Sequence, residues 1–211
     1  MQPEQPMTLH IRPAATLVLL RHGLGEPEVL MGQRGKEAAF MPSKFVFPGG
    51  AVDADDETQP SSIALLPICD QRLRLNCPPD APSPNAIASA GLRELREETG
   101  LRLAPHSDAK QPFRFIFRAI TPPGRSRRFD ARFFLADAAD IVGNPEDFGA
   151  ASDELSHLHW IGLTKARALD LPFITEVVLS EIGQLLRNGP SNAGVPFFDN
   201  SGHVPTFRRL A

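Results

Sequence analysis

Three glutamates stand three and four residues apart near the middle of the chain, in the stretch NAIASAGLRELREETGL from Asn85 to Leu101. In a helix, Glu94, Glu97 and Glu98 would project from one face, because positions i, i+3 and i+4 are neighbours there. Exposed like charges at this spacing repel by roughly 0.2–0.5 kcal/mol per pair. Their hard oxygens suit Mg²⁺ or Mn²⁺, which proteins hold with a few carboxylates, waters and substrate phosphates. The alternative is a solvated face whose charge is balanced by neighbouring arginines.

The opposite side of the same stretch is mainly apolar. Ala88, Leu92 and Leu95, together with Thr99, fall on one stripe of a helical wheel, which is typical of a helix that packs on a core. Gly100 follows the last periodic residue and suits the position just past a helix end. The pattern therefore predicts a helix with one buried face and one acidic face.

A glycine pair ends a short predicted strand upstream of this helix. The strand Lys44–Phe47 is followed by Pro48, Gly49 and Gly50. Glycine allows a close approach of the backbone and unusual φ values, both of which a backbone carbonyl needs if it is to bind a cation. A plain turn explains the pair equally well when the helix is left aside.

The two stretches together resemble the box of the Nudix hydrolase family. Residues 93 to 101, RELREETGL, match its second half, R-E-U-x-E-E-x-G-U with U an aliphatic residue, and FPGG resembles its opening. In that family the second glycine and the arginine are usually fourteen positions apart, whereas Gly50 and Arg93 are forty-three apart. An insertion of twenty-nine residues therefore splits the box. Asp56 takes the position of the family's first glutamate, and three acidic neighbours could take its role, namely Asp53, Asp55 and Glu57.

The resemblance implies a hydrolase that uses Mg²⁺ or Mn²⁺ to cleave the diphosphate linkage of a nucleoside diphosphate joined to another moiety. It implies the Gly49 carbonyl, Glu97 and Glu98 as metal ligands. Glu94 would accept a proton from the attacking water or bind a second ion, and Arg93 would hold a glutamate in place. The alternative, a non-catalytic ligand-binding member, is disfavoured because such members have usually lost box carboxylates.

Three further arginines are candidates for binding the substrate. Arg34 ends the predicted strand Glu28–Arg34, and its guanidinium fork matches phosphate oxygens, although a surface arginine is the simpler interpretation. Arg118 and Arg132 are charges in otherwise apolar strands. Each is interpreted as an outward-facing edge residue or, alternatively, as a side chain that faces a diphosphate.

A late segment also resembles the family, in which an acidic residue precedes a strand that contains tryptophan. Glu154 lies six residues before Trp160 and is the candidate for a further catalytic carboxylate, with Asp153 as the alternative. His157 and His159 alternate on the same predicted strand. We interpret both as structural, because the family already supplies carboxylate bases.

Composition limits the class of protein. The chain has 211 residues, a net charge of −3 and a sequence pI of about 6.1, so no basic field favours long nucleic acid or an anionic membrane. The longest apolar run, Ala14–Leu20, is too short to cross a bilayer. No secretory signal is visible, and a cytoplasmic location is expected. Cys69 and Cys77 are expected to be free thiols.

The order of strand and helix patterns predicts an α/β sandwich with helices on both sides of a mixed sheet, as the resemblance also implies. We expect a single domain over residues 1–211, with a loose arm at 1–12, a core at about 14–187 and a box insertion at about 54–84. The tail, 188–211, would form a hairpin or a homodimer contact. The predicted elements are the strands Ala14–Arg21, Glu28–Arg34, Lys44–Phe47, Phe113–Ile120 and Arg127–Ala136, a strand with Trp160 in the segment Asp153–Ile161, and a second long helix over Pro172–Arg187.

Within the family, the split box, the segment Ala39–Asp53 and the stretch RRFDARFF are most similar to the branch that contains the peroxisomal coenzyme A diphosphatase. This implies coenzyme A or acyl-coenzyme A as the substrate, with ADP-ribose, NADH and dinucleoside polyphosphates as alternatives. The chain ends in Arg209-Leu210-Ala211 rather than a peroxisomal tripeptide. The insertion leaves and re-enters beside the helix of glutamates, so we expect it to influence substrate choice.

Overall fold

A computed structural model describes residues 10–23, 25–58, 65–105, 113–191, 193–202 and 204–211. The strands are β1 (Ile11–Arg21), β2 (Glu28–Arg34), β3 (Phe45–Val46), β4 (Gly49–Ala51), β5 (Arg114–Ile120), β6 (Arg128–Asp137), β7 (Leu155–Gly162), β8 (Val195–Asp199) and β9 (Thr206–Leu210). The helices are α1 (Ala54–Thr58), α2 (Pro67–Arg74), α3 (Pro84–Thr99), α4 (Leu163–Ala166) and α5 (Phe173–Asn188).

All of these strands join one mixed sheet, which confirms the predicted fold class. The order is β3-β2-β1-β6-β5-β8-β9, with β4 paired to β1 and β7 paired to β2. The pairs β1–β6 and β5–β8 are parallel, and the other pairs are antiparallel. Strand β1 lies between β6 on one side and β2 and β4 on the other. The pairing with β4 holds Gly49 and Gly50 beside β1.

Side chains of β1 supply two cores, one on each face of the sheet. Leu17 packs on the side of α3 with Leu95, and Val18 packs on the side of α5 with Val178. Because both faces of β1 are buried, its sequence is a nearly continuous apolar run and does not alternate between apolar and polar residues. Each fully buried aliphatic side chain contributes about 1.5–3 kcal/mol relative to exposure.

Helix α3 begins and ends with local signals. The Ser83 hydroxyl accepts a hydrogen bond from the backbone N–H of Ala86 at 3.1 Å, and Pro84 occupies the first turn, where its missing N–H costs nothing. At the other end, Gly100 has φ 77° and its N–H donates to Arg96 O at 2.9 Å. The predicted glycine cap is therefore confirmed.

The structure extends two predicted segments. Strand β1 begins at Ile11 instead of Ala14, because Ile11 pairs with Arg128 of the parallel neighbour β6. Residues 1–9 of the expected arm lie outside the described residues. The acidic run after Gly50 forms the short helix α1, which the sequence leaves open between a helix start and a loop.

The box insertion and the tail both pack on the main sheet. Cys69 and Leu73 of α2 lie in the same core as Ile87 of α3, while residues 59–64 of the insertion lie outside the described part. The tail forms the hairpin β8–β9, which continues the sheet beyond β5 and buries Phe197 and Leu210. The expected core at 14–187 thus lacks two strands that the structure includes. Among the described helices, none has the length and apolarity needed to cross a bilayer.

Candidate functional site

Arg93 joins the two halves of the split box. Its Nε and Nη2 donate to the two carboxylate oxygens of Asp56, each at 3.0 Å, and Nη2 also donates to Ala51 O at 2.9 Å. The third nitrogen, Nη1, donates to Glu94 at 2.9 Å and to Glu97 at 3.1 Å. One guanidinium therefore links three parts of the chain: the start of the insertion, the glycine pair Gly49 and Gly50 (the glycine corner), and α3 (the glutamate helix).

Asp56 is the acid of the run 53–57 that accepts hydrogen bonds from Arg93, while Asp53 lies 3.6 Å from the same guanidinium. The sequence alone could not choose between them. Its side chain is only 3% exposed, and one carboxylate oxygen also accepts the N–H of Asp53 at 2.8 Å. The hydrogen bonds to Asp56 raise the pKa of the Arg93 guanidinium above its ordinary value. The neighbouring Glu57 turns instead to Ser83, whose hydroxyl donates to it at 2.9 Å. Asp56 and Glu57 thus connect the start of the insertion to α3. Asp56 binds Arg93 in the middle of the helix, and Glu57 binds Ser83 at its start.

Glu98 lies at the glycine corner and is 2% exposed. The backbone N–H of Gly49 donates to its carboxylate at 2.7 Å. Burial raises the pKa of Glu98 to about 8, although the hydrogen bond from Gly49 lowers it. The charges of Glu94 and Glu154 raise this pKa further, and the charge of Arg34 lowers it. Arg34 and Glu154, from distant parts of the chain, therefore lie within electrostatic reach of Glu98.

Glu94 occupies the space beside the second glycine. A Cβ atom at Gly50 would overlap the Glu94 carboxylate, so the absence of a side chain there allows the glutamate to approach the backbone. Burial raises the pKa of Glu94, the bond from Arg93 lowers it, and the charges of Glu97 and Glu154 raise it. A carboxylate with a raised pKa is a stronger general base than an exposed one.

The two glycines should respond differently to alanine. At Gly49 the added Cβ would overlap the backbone of Ala15 and Thr16, which cannot move without disrupting β1, so we expect Gly49→Ala to lower the melting temperature by several degrees. At Gly50 it would overlap only the end of the Glu94 side chain. Gly50→Ala should therefore retain most of its stability and lose activity, as calorimetry and a steady-state assay would show. Equal stability of the two variants would contradict this assignment.

The oxygen donors at this corner fit a divalent cation in chemistry and charge. Glu94, Glu97 and Glu98 are carboxylates, and Gly49, whose N–H contacts Glu98, carries a backbone carbonyl. Burial and the charges of neighbouring carboxylates raise the pKa of both Glu94 and Glu98. In the described ranges, however, no three acidic, histidine or cysteine side chains already converge as a ligand set. Glu97, whose side chain is 55% exposed, is bonded to Arg93, and Glu98 is bonded to the Gly49 N–H. If Glu97 and Glu98 held one ion together, their side chains would have to turn toward each other.

The buried Glu98 predicts a pH dependence of stability in metal-free buffer. Its pKa is about 8 in the folded chain against an ordinary 4.5, so the folded state holds the proton more tightly than the unfolded state. The stability that this proton provides is complete below about pH 4.5 and is lost as the pH rises to about 8. Urea unfolding with a chelator should show a loss on the order of a few kcal/mol between these limits. Glu98→Gln should reduce that loss, and an unchanged pH profile in this variant would show that Glu98 is not its source.

Arg118 and Arg132 do not belong to this site, and their interpretation as outward-facing or diphosphate-facing side chains is wrong. They are 2% and 1% exposed, and both pair with Asp130, at 2.7 and 3.0 Å. Arg118 also donates to Leu75 O at 2.8 Å, and an Arg132 nitrogen lies 3.5 Å from the Cys77 sulphur. The buried Asp130 carboxylate and the covering insertion thus contact both guanidinium groups, although the Nε atom of Arg132 is buried without a hydrogen-bond partner. These contacts fix the insertion to the sheet.

The loop before β7 brings Glu154 to the glutamate helix. The backbone N–H of Ser152 donates to Glu97 O at 2.9 Å, and the Ser152 hydroxyl accepts the N–H of Glu154 at 3.4 Å. The indole of Trp160 anchors the same loop by donating to Pro145 O at 3.0 Å. Sequence reasoning missed Ser152, because a backbone contact leaves no signal in residue type.

The two histidines of β7 lie outside these carboxylate contacts. His159 packs edge-on against Phe45, with the ring centroids 5.8 Å apart. Its Nδ1 is 2.6 Å from the backbone oxygen of His157, which itself has a positive φ of 51°. These contacts agree with a structural role for His159.

Several solved structures are similar to this chain. A Nudix hydrolase from Alicyclobacillus acidocaldarius is 29% identical, with a TM-score of 0.61, over 82% of this chain and 91% of that one. An Ap4A hydrolase of C. elegans in a binary complex is 19% identical, with a TM-score of 0.51, over 84% and 98%. The Nudix domain of NrtR from Shewanella oneidensis, complexed with ADP ribose, is 13% identical, with a TM-score of 0.54, over 87% and 94%. No family model and no curated protein matches the sequence.

The last two likenesses concern the fold alone, whereas the first is close enough to bear on function. The likeness to the Alicyclobacillus protein, together with the contacts that Arg93 makes on α3, supports the interpretation of this chain as a Nudix hydrolase. The metal, the substrate and the roles of individual residues go beyond this likeness.

Proposed function

We propose that this protein hydrolyses the diphosphate linkage of a nucleoside diphosphate joined to another moiety, with Mg²⁺ or Mn²⁺ as cofactor. The observation that supports it is the arrangement of the half-buried Glu94 and the buried Glu98, whose carboxylates have raised pKa values and lie against the glycine corner. A diphosphate repels a nucleophile, and the bound cation would neutralise its oxygens.

The protein residues would divide the remaining work. Glu97 and Glu98, with the Gly49 carbonyl, would hold the cation, and Glu94 would take the proton of the attacking water or bind a second ion. Glu154 is the further carboxylate that acts on the same charge cluster. Arg93 would keep the helix and the corner at a fixed separation through its bonds to Asp56.

Arg34 remains the candidate phosphate ligand. Its charge acts on Glu98, and its Nε atom is buried without a hydrogen-bond partner. An unpaired buried guanidinium nitrogen favours an anionic partner, because leaving it unpaired costs about 1–3 kcal/mol or more. A phosphate oxygen of the substrate would satisfy it.

We propose coenzyme A or acyl-coenzyme A as the substrate, on the basis of the split box and its resemblance to the coenzyme A diphosphatase branch. A panel of coenzyme A, acyl-coenzyme A, ADP-ribose, NADH and diadenosine tetraphosphate, assayed with and without Mg²⁺, tests this. Product identification should show phosphopantetheine and adenosine bisphosphate. A higher kcat/KM for ADP-ribose or for diadenosine tetraphosphate than for coenzyme A would show that the proposed substrate is wrong and that the proposed reaction is right. Absence of metal-dependent cleavage across the panel would refute the proposal.

A further inference from the structure

A concave site lies between the box insertion and the C-terminal part of the fold. It is a cavity of about 200 Å³ where α2, β5, the last turns of α5 and the chain leading to β8 meet. Its walls are mainly apolar and include Leu66, Phe115, Ile182 and Val195. None of the residues that line it belongs to the glutamate corner, so the hydrolase site does not account for it.

Two cations converge on this cavity. Arg72 of α2 and Arg114 of β5 line it, and so does the buried Cys69. Burial raises the pKa of Cys69, while the positive charges of Arg114 and Arg72 lower it, which places both guanidinium groups within electrostatic reach of the sulphur. The backbone N–H of Phe115 donates to that sulphur at 3.4 Å, so the thiol is fixed at the wall.

The positive charge at the cavity is incompletely balanced. Glu181 of α5 is the carboxylate that lines it, and neither Arg72 nor Arg114 forms an ion pair with any carboxylate in the described ranges. The Nε atom of Arg72 is buried and has no hydrogen-bond partner. By contrast Arg74, two residues further along α2, pairs with Asp70 at 2.9 Å and does not line the cavity. A mainly apolar space with two unpaired cations selects a ligand that combines an apolar body with a negative end.

We propose that this cavity binds a small amphiphilic anion, an aliphatic chain that ends in one carboxylate. The chain would pack on the apolar walls, and the carboxylate would accept hydrogen bonds from Arg72 and Arg114. A dry cavity of about 150 Å³ admits benzene, so the larger space here suits a chain such as that of octanoate. Because α2 belongs to the insertion that returns to α3 at Ser83, occupancy would stabilise the insertion on the sheet.

The test measures the melting temperature of the full chain in metal-free buffer with octanoate, octanamide or octylamine. We expect octanoate to raise it in a saturable way, and the neutral and cationic analogues to have little effect, because only the carboxylate can pair with the arginines. Arg72→Gln and Arg114→Gln should each weaken octanoate binding about tenfold, the size of a lost charged hydrogen bond. Arg74→Gln is the matched control: it removes the same charge from the same helix and should leave binding unchanged.

Three results would overturn the proposal. The first is no change with octanoate in the native chain. The second is an equal shift with octanamide, and the third is an equal loss of binding in the Arg74→Gln control. Hydrogen exchange gives a second readout, since octanoate should slow exchange in α2 and not in β9. The assay contains no nucleotide and no Mg²⁺, so its outcome is independent of the proposed hydrolysis.

Discussion

Glu98→Gln should reduce kcat by about a thousandfold, the order of magnitude that follows from losing one group that stabilises charge in the transition state. The amide keeps the shape of the side chain, and its oxygen can still accept the N–H of Gly49, which lies 2.7 Å from the native carboxylate. It cannot supply the negative charge that a cation needs. The loss should therefore appear in turnover and in the Mg²⁺ concentration required, rather than in folding.

The same change should leave the metal-free protein at least as stable as the native one at pH 8. A buried carboxylate whose pKa is about 8 is costly to ionise, and glutamine removes that cost. Thermal unfolding with a chelator measures this directly. Added Mg²⁺ should raise the melting temperature of the native chain and not that of the variant. Glu97→Gln is a useful companion, because Glu97 is half exposed and bonded to Arg93, so it should lose activity without the change in pH dependence.

Retained turnover in Glu98→Gln would count decisively against the ligand assignment. A variant that fails to fold would not be mistaken for an inactive one, because circular dichroism and the unfolding midpoint are measured on the same sample. The pairing of lost activity with retained or increased stability is the signature that distinguishes a functional carboxylate from a structural one.

Local features of the site could be predicted from the sequence because their causes are local. The positions of the three glutamates on one helical face follow from helical geometry, and the end of α3 follows from Gly100, the residue best suited to a positive φ. The mixed sheet follows from the alternation of strand and helix patterns. For the helix face and the helix end, the residues that decide the structure lie within a few turns of each other.

Asp56 could not be chosen from the sequence because its partner is thirty-seven residues away. Four acidic residues stand in the run 53–57, and any of them satisfies the composition of the box. The direction of α1 relative to α3 brings Asp56 into hydrogen-bond contact with Arg93, whereas Asp53 approaches the guanidinium only to 3.6 Å. The choice is a tertiary property, set by where the insertion leaves and returns.

The error on Arg118 and Arg132 has a different origin. Asp130 and Arg132 are two positions apart on β6, so their side chains lie on the same face of the sheet, and Arg118 pairs with Arg132 across the strands. An acid two residues from an arginine on a strand is therefore a usable signal of an internal ion pair. Interpreting each arginine singly, without its acidic neighbour, misses that signal.

Removing Arg93 should have the largest effect on stability of any single change at the site. Its pair with Asp56 is bidentate, and the carboxylate is 3% exposed, so Arg93→Ala leaves a buried charge without its cation. Breaking a buried pair in this way typically costs about 3–5 kcal/mol. The variant would also lose the bonds that Arg93 makes to Glu94, Ala51 and Asp56, which hold the catalytic carboxylates beside the glycine corner. The value of kcat should therefore fall as well. Urea unfolding and steady-state kinetics measure the two effects.

A double-mutant cycle separates the pair from the rest of the site. Asp56→Asn should cost less than Arg93→Ala, because the amide still accepts one of the two hydrogen bonds and leaves no unpaired negative charge. If the two residues act together, the double variant should be more stable than the sum of the single losses predicts. Arg96→Lys on the exposed side of α3 is the control for a changed arginine in the same helix and should alter neither quantity. Strict additivity of Arg93→Ala and Asp56→Asn would show that the bond between the two halves of the box does not hold them together.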